Sequence, residues 1–403
     1  MTCLIQNVLK KYNKNIWVMY NNENSDRIFC KYFTKHLASN TICIISTQKV
    51  YIILSSLDKD NVEKLKYDPK KVQFFSYKSR DELDVILENI IADLNFSNKI
   101  CLNFSTMSDR NTDIMSHGDY VYLTKILKKP YLKYKKKVKF ESAEKMIYDL
   151  ESRKTEKEIN RLKLLADITN RILEETFKKI QIGDNEIVNK TKKITDEIMK
   201  LYVGSNDIVS YDMAWENCPI VLTGINLAKG GHSLPSTKKL FRGDTIYFDF
   251  GIKATFSDEM VLYTDMQRMG YALKKNEFSP PKQVMKVFNT LVNSISDGID
   301  EMRPGVKAYK VDKVVRDEII KAGYPEYNHA TGHPVGKEVH DIGAIISIKK
   351  SKLANLELIE NGIYTLEPRV NISNGGSIEE MIQVTKYGGV PLTHLQDEIY
   401  LVK

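Results

Sequence analysis

The chain is poor in cysteine. Its five cysteines (Cys3, Cys30, Cys43, Cys101 and Cys218) are widely spaced over 403 residues, odd in number, and include no Cys-x-x-Cys pair. That pattern fits reduced thiols in the cytosol, not a disulfide framework. Long apolar runs are missing too. None approaches membrane-spanning length, and the start of the chain lacks an apolar segment with a small-residue cleavage site. A cytoplasmic location with no membrane partner is the expectation. The net charge of +8 admits nucleic acid or an acidic membrane as partners. The lysines are spread along the chain, however, and the one dense run, Lys128 to Lys139, comes with no RNA- or DNA-binding motif. No nucleic-acid partner is expected.

The length exceeds that of a usual single domain, so two domains are expected. Residues 1–140 alternate short β-branched runs with helical stretches. Ile16 to Tyr20 reads as a strand, Thr41–Ile45 and Val50–Leu54 as a hairpin, Arg80–Asn95 as a helix and Lys99–Phe104 as a strand. This is a small α/β domain without a chemical motif. A charged segment with helical periodicity, Ser142 to Leu164, leads into a larger domain, residues 141–403. There a helix–glycine turn–helix pattern occurs twice: at Asp167–Lys179 with Glu186–Tyr202, and at Lys282–Met302 with Ala308–Ala322. Strand-rich sequence follows each copy. Two copies suggest a pseudo-two-fold domain of α+β class with a site between its halves.

The chemistry is concentrated in that domain. Asp249 ends a strand in Phe248-Asp249-Phe250-Gly251. Asp265 lies in Thr264-Asp265-Met266-Gln267-Arg268, and His333 in Gly332-His333-Pro334-Val335-Gly336. Glu367 precedes a proline in an apolar strand, and Glu379 stands in Ser377-Ile378-Glu379-Glu380-Met381. His329, His333 and His340 are three of seven histidines and fall within twelve positions. A buried carboxylate is costly unless paired or metal-bound. Alternation along a strand sends Glu379 and Glu380 to opposite faces, so only one of them should reach the site. Four acids and one imidazole are a donor set for two adjacent divalent cations, which activate a shared water near neutral pH.

The motif order, the Gly-His-x-x-Gly and the Glu-Pro resemble those of the pita-bread metallopeptidases, the family of prolidase, aminopeptidase P, methionine aminopeptidase and creatinase. The resemblance runs from Leu150 to the C-terminus, and the small N-terminal domain resembles that of the prolidase and aminopeptidase P branch. It implies a pita-bread catalytic domain and a metal-dependent exopeptidase that hydrolyses the N-terminal Xaa-Pro bond of peptides or dipeptides through a metal-bridging hydroxide. It implies Asp249, Asp265, His333, Glu367 and Glu379 as ligands of two divalent ions, with Asp249 and Glu379 able to bridge them. Manganese is expected, with cobalt and zinc as alternatives. Glu367 is implied as proton carrier and His232 and His340 as groups beside the substrate, in a homodimer. His329 is implied to lie near the site, outside the ligand set.

The chain departs from the family pattern in several places. The second ligand usually follows the first by eleven positions, whereas here Asp258 follows Asp249 by nine and Asp265 by sixteen. The Arg-bearing motif around Asp265 implies the latter. Pro334 and Arg369 stand where glycine is common, and Ser377 stands where many members carry arginine. Because some relatives with this fold are catalytically inactive binding proteins, that role is the alternative expectation.

Overall fold

The β-branched runs near the N-terminus become strands in the computed structural model of the chain, which describes residues 2–403 other than 38, 63, 64, 66, 108, 225, 226 and 228–238. The chain divides into two units, Met1–Glu151 and Ser152–Lys403. In the first, strands β1 (Ile16–Asn21), β2 (Thr41–Ser46), β3 (Val50–Ser55), β4 (Val72–Tyr77), β5 (Lys99–Leu102) and β6 (Lys139–Ser142) form one sheet in the order β4-β3-β2-β1-β5-β6. β2 pairs antiparallel with β1 and β3, and the outer pairings are parallel. The unit's helices are α1 (Thr2–Lys11), α2 (Arg27–Tyr32), α3 (Lys59–Val62), α4 (Arg80–Asp93), α5 (His117–Lys133) and α6 (Glu144–Ser152). Leu83, Leu87 and Ile91 of α4 and Leu123, Ile126 and Leu127 of α5 pack with Val18, Ile42, Ile44 and Ile53 of the sheet.

The lysine run lies at the end of α5 and in the turn into β6. Lys129 pairs with Asp84 and Lys133 with Glu88, while Lys136 sits over the Phe96 ring. Part of its charge is therefore answered locally. The charged segment with helical periodicity, Ser142 to Leu164, is divided between two helices. α6 ends at Ser152, and α7 (Glu156–Lys179) begins with a capping box: Thr155 accepts from the Glu158 N–H and the Glu158 carboxylate accepts from Thr155 N–H. Four backbone donors at a helix start lack helical partners, and this local solution starts a new helix.

The second unit repeats one design. Helix α7, a turn with Gly183, and α8 (Ile187–Met199) precede β7 (Ile208–Met213), β8 (Ile220–Thr223), β9 (Thr245–Phe250), β10 (Ile252–Phe256), β11 (Val261–Tyr263) and β12 (Met266–Ala272). Helix α9 (Lys282–Glu301), a turn with Gly305, and α10 (Ala308–Lys321) precede β13 (Ile363–Leu366), β14 (Arg369–Val370), β15 (Gly376–Ser377), β16 (Glu380–Thr385), β17 (Gly388–Pro391) and β18 (Tyr400–Val402). Each helix pair has its own core. Leu162, Leu165, Leu173 and Phe177 pack with Phe248, Phe250 and Ile252. Val287, Leu291, Val311 and Val315 pack with Tyr364, Leu366, Ile382 and Val384. The strand order β18-β12-β9-β8 places the last strand of the first half, β12, beside the chain's last strand.

A buried arginine ties these parts together. Arg268 on β12 is inaccessible to solvent. Its Nε donates to Asn170 Oδ1 on α7 at 2.9 Å, its Nη1 to the carbonyls of Gln267 and Glu379, and its Nη2 to Glu380 Oε2 at 3.0 Å. Glu380 Oε1 in turn accepts from Gln396 N–H. Removing one member of a buried ion pair leaves the other charge unanswered, at a cost of about 3–5 kcal/mol. Arg268→Met is therefore expected to lower unfolding stability by that amount in a urea titration. A loss under about 1 kcal/mol, the size of an ordinary surface change, would contradict this role.

Candidate metal centre

Asp249 projects from a strand held on both sides. β9 pairs with β12 and with β8, with Asp249 opposite Gln267 and Ile220. Asp265 precedes β12. Two glycines permit the close approaches that set these segments. A Cβ at Gly251 would lie 2.0 Å from the Thr264 carbonyl oxygen, and one at Gly332 would lie 2.0 Å from that of Thr365. The second approach lets His333 ladder against β13. Thr365 N–H donates to the His333 carbonyl at 2.8 Å, His333 N–H donates to Thr365 Oγ1, and Glu367 N–H donates to the Thr331 carbonyl. Glu379 is placed by a two-way backbone pair with Gln267.

These five side chains converge. His333 Nε2 lies 3.6 Å from Asp265 Oδ2, 3.8 Å from Glu367 Oε1 and 3.8 Å from Glu379 Oε1. Its Nδ1 is 3.1 Å from the Pro334 carbonyl. A carbonyl only accepts, so Nδ1 carries the proton, and in the neutral ring the Nε2 lone pair faces the carboxylates. Gln267 Nε2 donates to Glu367 Oε2 at 3.3 Å. Glu380 turns the other way, to Arg268.

The electrostatics are severe. Asp265 and Glu379 are 5% and 1% exposed. Asp265 Oδ1 and both Glu379 carboxylate oxygens are buried and accept no hydrogen bond from the described residues. Burial pushes the Asp249 carboxyl up to about 7. Burial, and then the charge of Asp249, pushes Glu367 up to about 8. Asp265 and Glu379 are held well above the usual carboxylate range by burial and by the neighbouring acids. Ionised carboxylates so placed need positive charge among them. The donors fall into overlapping groups whose atoms lie within 4.8 Å of one another: Asp249, Asp265 and Glu379; His333, Glu367 and Glu379; and Asp265, His333 and His340. Oxygen donors with one or two imidazoles suit manganese, cobalt or zinc, and the orphaned oxygens supply the unfilled valence such an ion would take.

Other residues singled out from the sequence fall as follows. His340 is exposed, its ring edge-on to His333 at 4.2 Å between centroids. His232 lies outside the described residues. His329 bonds through Nδ1 to the Ala330 carbonyl and packs over Tyr327, outside the donor groups found among the described residues. Asp258 lies in the β10–β11 turn. It pairs there with Lys157 at 2.7 Å and Arg161 at 2.8 Å, which hold its carboxyl well below the usual range. Gln267 was not singled out, although it shares a motif with Asp265, and alternation from Asp265 puts it on the same face.

Residues 160–386, more than half of the chain, match the model of metallopeptidase family M24. The chain is a member of family M24. Among curated proteins, an uncharacterized peptidase of Staphylococcus haemolyticus is 29% identical over 254 residues, covering 62% of this chain and 64% of that protein, so the chain spans just under two thirds of that relative's length. A Xaa-Pro dipeptidase of Pyrococcus horikoshii is 26% identical over 293 residues, 72% of this chain and 75% of that protein. The solved structure of an X-Pro aminopeptidase from Thermotoga maritima superposes with a TM-score of 0.63 at 23% identity, covering 98% of this chain and all of that one. The M24 chain thus has the α+β pita-bread fold expected from its motifs. Among its described residues, no helix is long and apolar enough to cross a membrane.

The raised carboxyl values set a pH dependence. In the cation-free M24 chain the folded state holds protons that the unfolded chain releases near pH 4, so these groups stabilise the fold less as pH rises toward 8. Cations compete with those protons. The gain in melting temperature on adding Mn²⁺ to chelator-treated protein is expected to grow between about pH 5 and pH 8. A gain that is constant across this window would contradict the assignment of the cluster as a cation site.

Proposed function

We propose that this chain is a dinuclear, metal-dependent exopeptidase of Xaa-Pro type, acting on peptides or dipeptides. The observation that carries the reading is the convergence of Asp249, Asp265, His333, Glu367 and Glu379 with buried, unpartnered oxygens. The names of the Pyrococcus and Thermotoga proteins support the Xaa-Pro assignment. The complete donor set favours catalysis over a binding-only role. The proposed setting is the cytoplasm and the proposed assembly a homodimer.

In this reading Asp249, Asp265, His333, Glu367 and Glu379 would hold the two cations. A bound pair supplies Lewis acidity and makes water nucleophilic near neutral pH. Glu367 is the proton carrier. Its side chain is 19% exposed, against 8% for Asp265 and 1% for Glu379. A carboxylate beside the attacking water accepts its proton and returns it. It takes the proton of the attacking water, whose oxygen bonds to the carbonyl carbon. It then delivers that proton to the proline nitrogen as the C–N bond breaks. Gln267, bonded to the other Glu367 oxygen, holds the carboxyl in place. His340, exposed beside His333, donates to the developing oxyanion. His232, in His232-Ser233-Leu234-Pro235, is assigned the same task because that segment resembles the family's His-x-x-Pro element.

Chelator-treated protein is expected to release alanine from Ala-Pro or Ala-Pro-Ala only after Mn²⁺, Co²⁺ or Zn²⁺ is restored. Glu367→Gln is expected to lower kcat by about 10²–10⁴-fold. Release from neither peptide with any of the three ions would overturn the reading. Asp265→Ala is expected to lose bound metal and activity, whereas Asp258→Ala keeps both. Retained metal in Asp265→Ala would remove that residue from the ligand set.

A further inference from the structure

Lys154 is the only buried lysine among the described residues. It stands just before the cap of α7, where its N–H donates to the Asn361 carbonyl at 2.9 Å. Its Nζ donates to the Ser152 carbonyl at 3.2 Å and meets Asp341 Oδ2 at 3.0 Å, with 0% and 4% of the two side chains exposed. An ammonium taken out of water is costly unless an anion answers it, and a long lysine stem usually carries its charge to the surface instead. A buried pair of this kind is weak evidence for stability, so its use is to be sought in what it holds in place.

The pair closes a loop. Asp341 Oδ2 also accepts from the Lys337 N–H at 2.9 Å, and Oδ1 accepts from the Ile342 N–H at 2.7 Å. The Asp341 N–H donates back to the Pro334 carbonyl at 2.9 Å. At the other end, the Gly336 carbonyl accepts from the Tyr263 N–H at 2.7 Å. Gly336 has a φ of +146°, and a Cβ there would lie 2.7 Å from Lys154 Cε. The second glycine of the Gly-His-x-x-Gly motif therefore serves two needs: a backbone conformation that suits glycine, and room for the lysine stem. Lys154 thus grips residues 336–341 twice, by packing at Gly336 and by charge at Asp341.

His340 is the residue just before Asp341. Its ring is exposed and stands edge-on to His333, with 4.2 Å between centroids. One of its nitrogens lies within 4.8 Å of donor atoms of Asp265 and His333. An exposed ring keeps so defined a place only if its backbone is fixed, and a shift of about 1 Å at a reacting group can cost about a hundredfold in rate. We infer that the buried Lys154–Asp341 pair is a positioning device for the reaction: it closes the 336–341 loop and thereby holds the His340 imidazole beside the carboxylate cluster. The inference rests on the Xaa-Pro peptidase reading, in which His340 donates to the developing oxyanion. Lys154 itself touches no reacting atom.

The test removes both charges at once, since breaking a buried pair from one side strands the other charge. In Lys154→Met with Asp341→Asn the volume is kept, but one side-chain acceptor oxygen replaces two, so one of the two backbone clips opens. With the Mn²⁺-loaded protein and Ala-Pro or Ala-Pro-Ala, this double variant is expected to lose about ten- to a hundredfold in kcat, with KM and bound metal unchanged. In a His340→Gln background the same double substitution is expected to lower kcat no further, because a residue acting through His340 has nothing left to position. Equal losses in both backgrounds, or no loss in either, would overturn the inference and leave the peptidase reading standing. A second readout needs neither metal nor turnover. In cation-free protein labelled at its histidines, a nuclear Overhauser cross-peak between the His333 and His340 rings is expected for the wild type and is lost in the double variant. A cross-peak missing from the wild type, or intact in the variant, would overturn the inference. If the wild type cleaves neither peptide, the peptidase reading fails and the cross-peak alone decides the positioning. If the double variant does not fold, hydrogen exchange of the wild type decides: the Lys337 and Ile342 amides exchange only with global unfolding if the clip is closed, and rapid exchange ends the proposal.

Discussion

Four carboxylates held within a few ångströms of one another, most of them out of water, cannot all be ionised without positive charge among them. Asp265 Oδ1 and both oxygens of Glu379 have no hydrogen-bond donor among the described residues, although burial makes each unmade hydrogen bond costly. A fold evolved only for stability would have little reason to keep such groups. Here they are gathered from β9, from the start of β12, from the end of β13 and from the segment before β16, parts of two separate cores.

The surrounding structure keeps these acids from relaxing apart. Asp249 stands on a strand bonded on both edges, and the two glycine contacts at 251 and 332 press neighbouring backbones closer than any side chain allows. Arg268 holds α7, β12 and the Glu379–Glu380 segment with one guanidinium. The His333 ring is fixed by Pro334, so its Nε2 lone pair has one direction to face. A preorganised donor set of this kind spends its strain on folding, before any ligand arrives.

Much of this was legible in the sequence. The glycine-turn helix pairs announced two halves, and the motifs around Asp249, Asp265, His333, Glu367 and Glu379 named the residues that the fold gathers. Alternation alone separated Glu379 from Glu380. The arginine after Asp265 pointed away from Asp258, which the structure leaves in a surface turn. Other features depend on pairings that no local pattern encodes. The break between α6 and α7 lies in a charged stretch whose helical period continues across it, and only the Thr155 cap interrupts it. Arg369 and Ser377 read as two unrelated departures, because their relation exists only in the register of β14 with β15. The histidine cluster was legible as a group, yet only tertiary placement distinguishes His333 and His340 from His329.

The central claim is that the carboxylate cluster holds two cations side by side. Electron paramagnetic resonance of the chain titrated with Mn²⁺ tests it most directly, because two manganese ions about 3.5–4 Å apart couple magnetically. The account predicts binding of about two ions per chain and the multiline spectrum of a coupled pair at saturation. Saturation at a single ion, or the six-line spectrum of isolated manganese throughout, would contradict it.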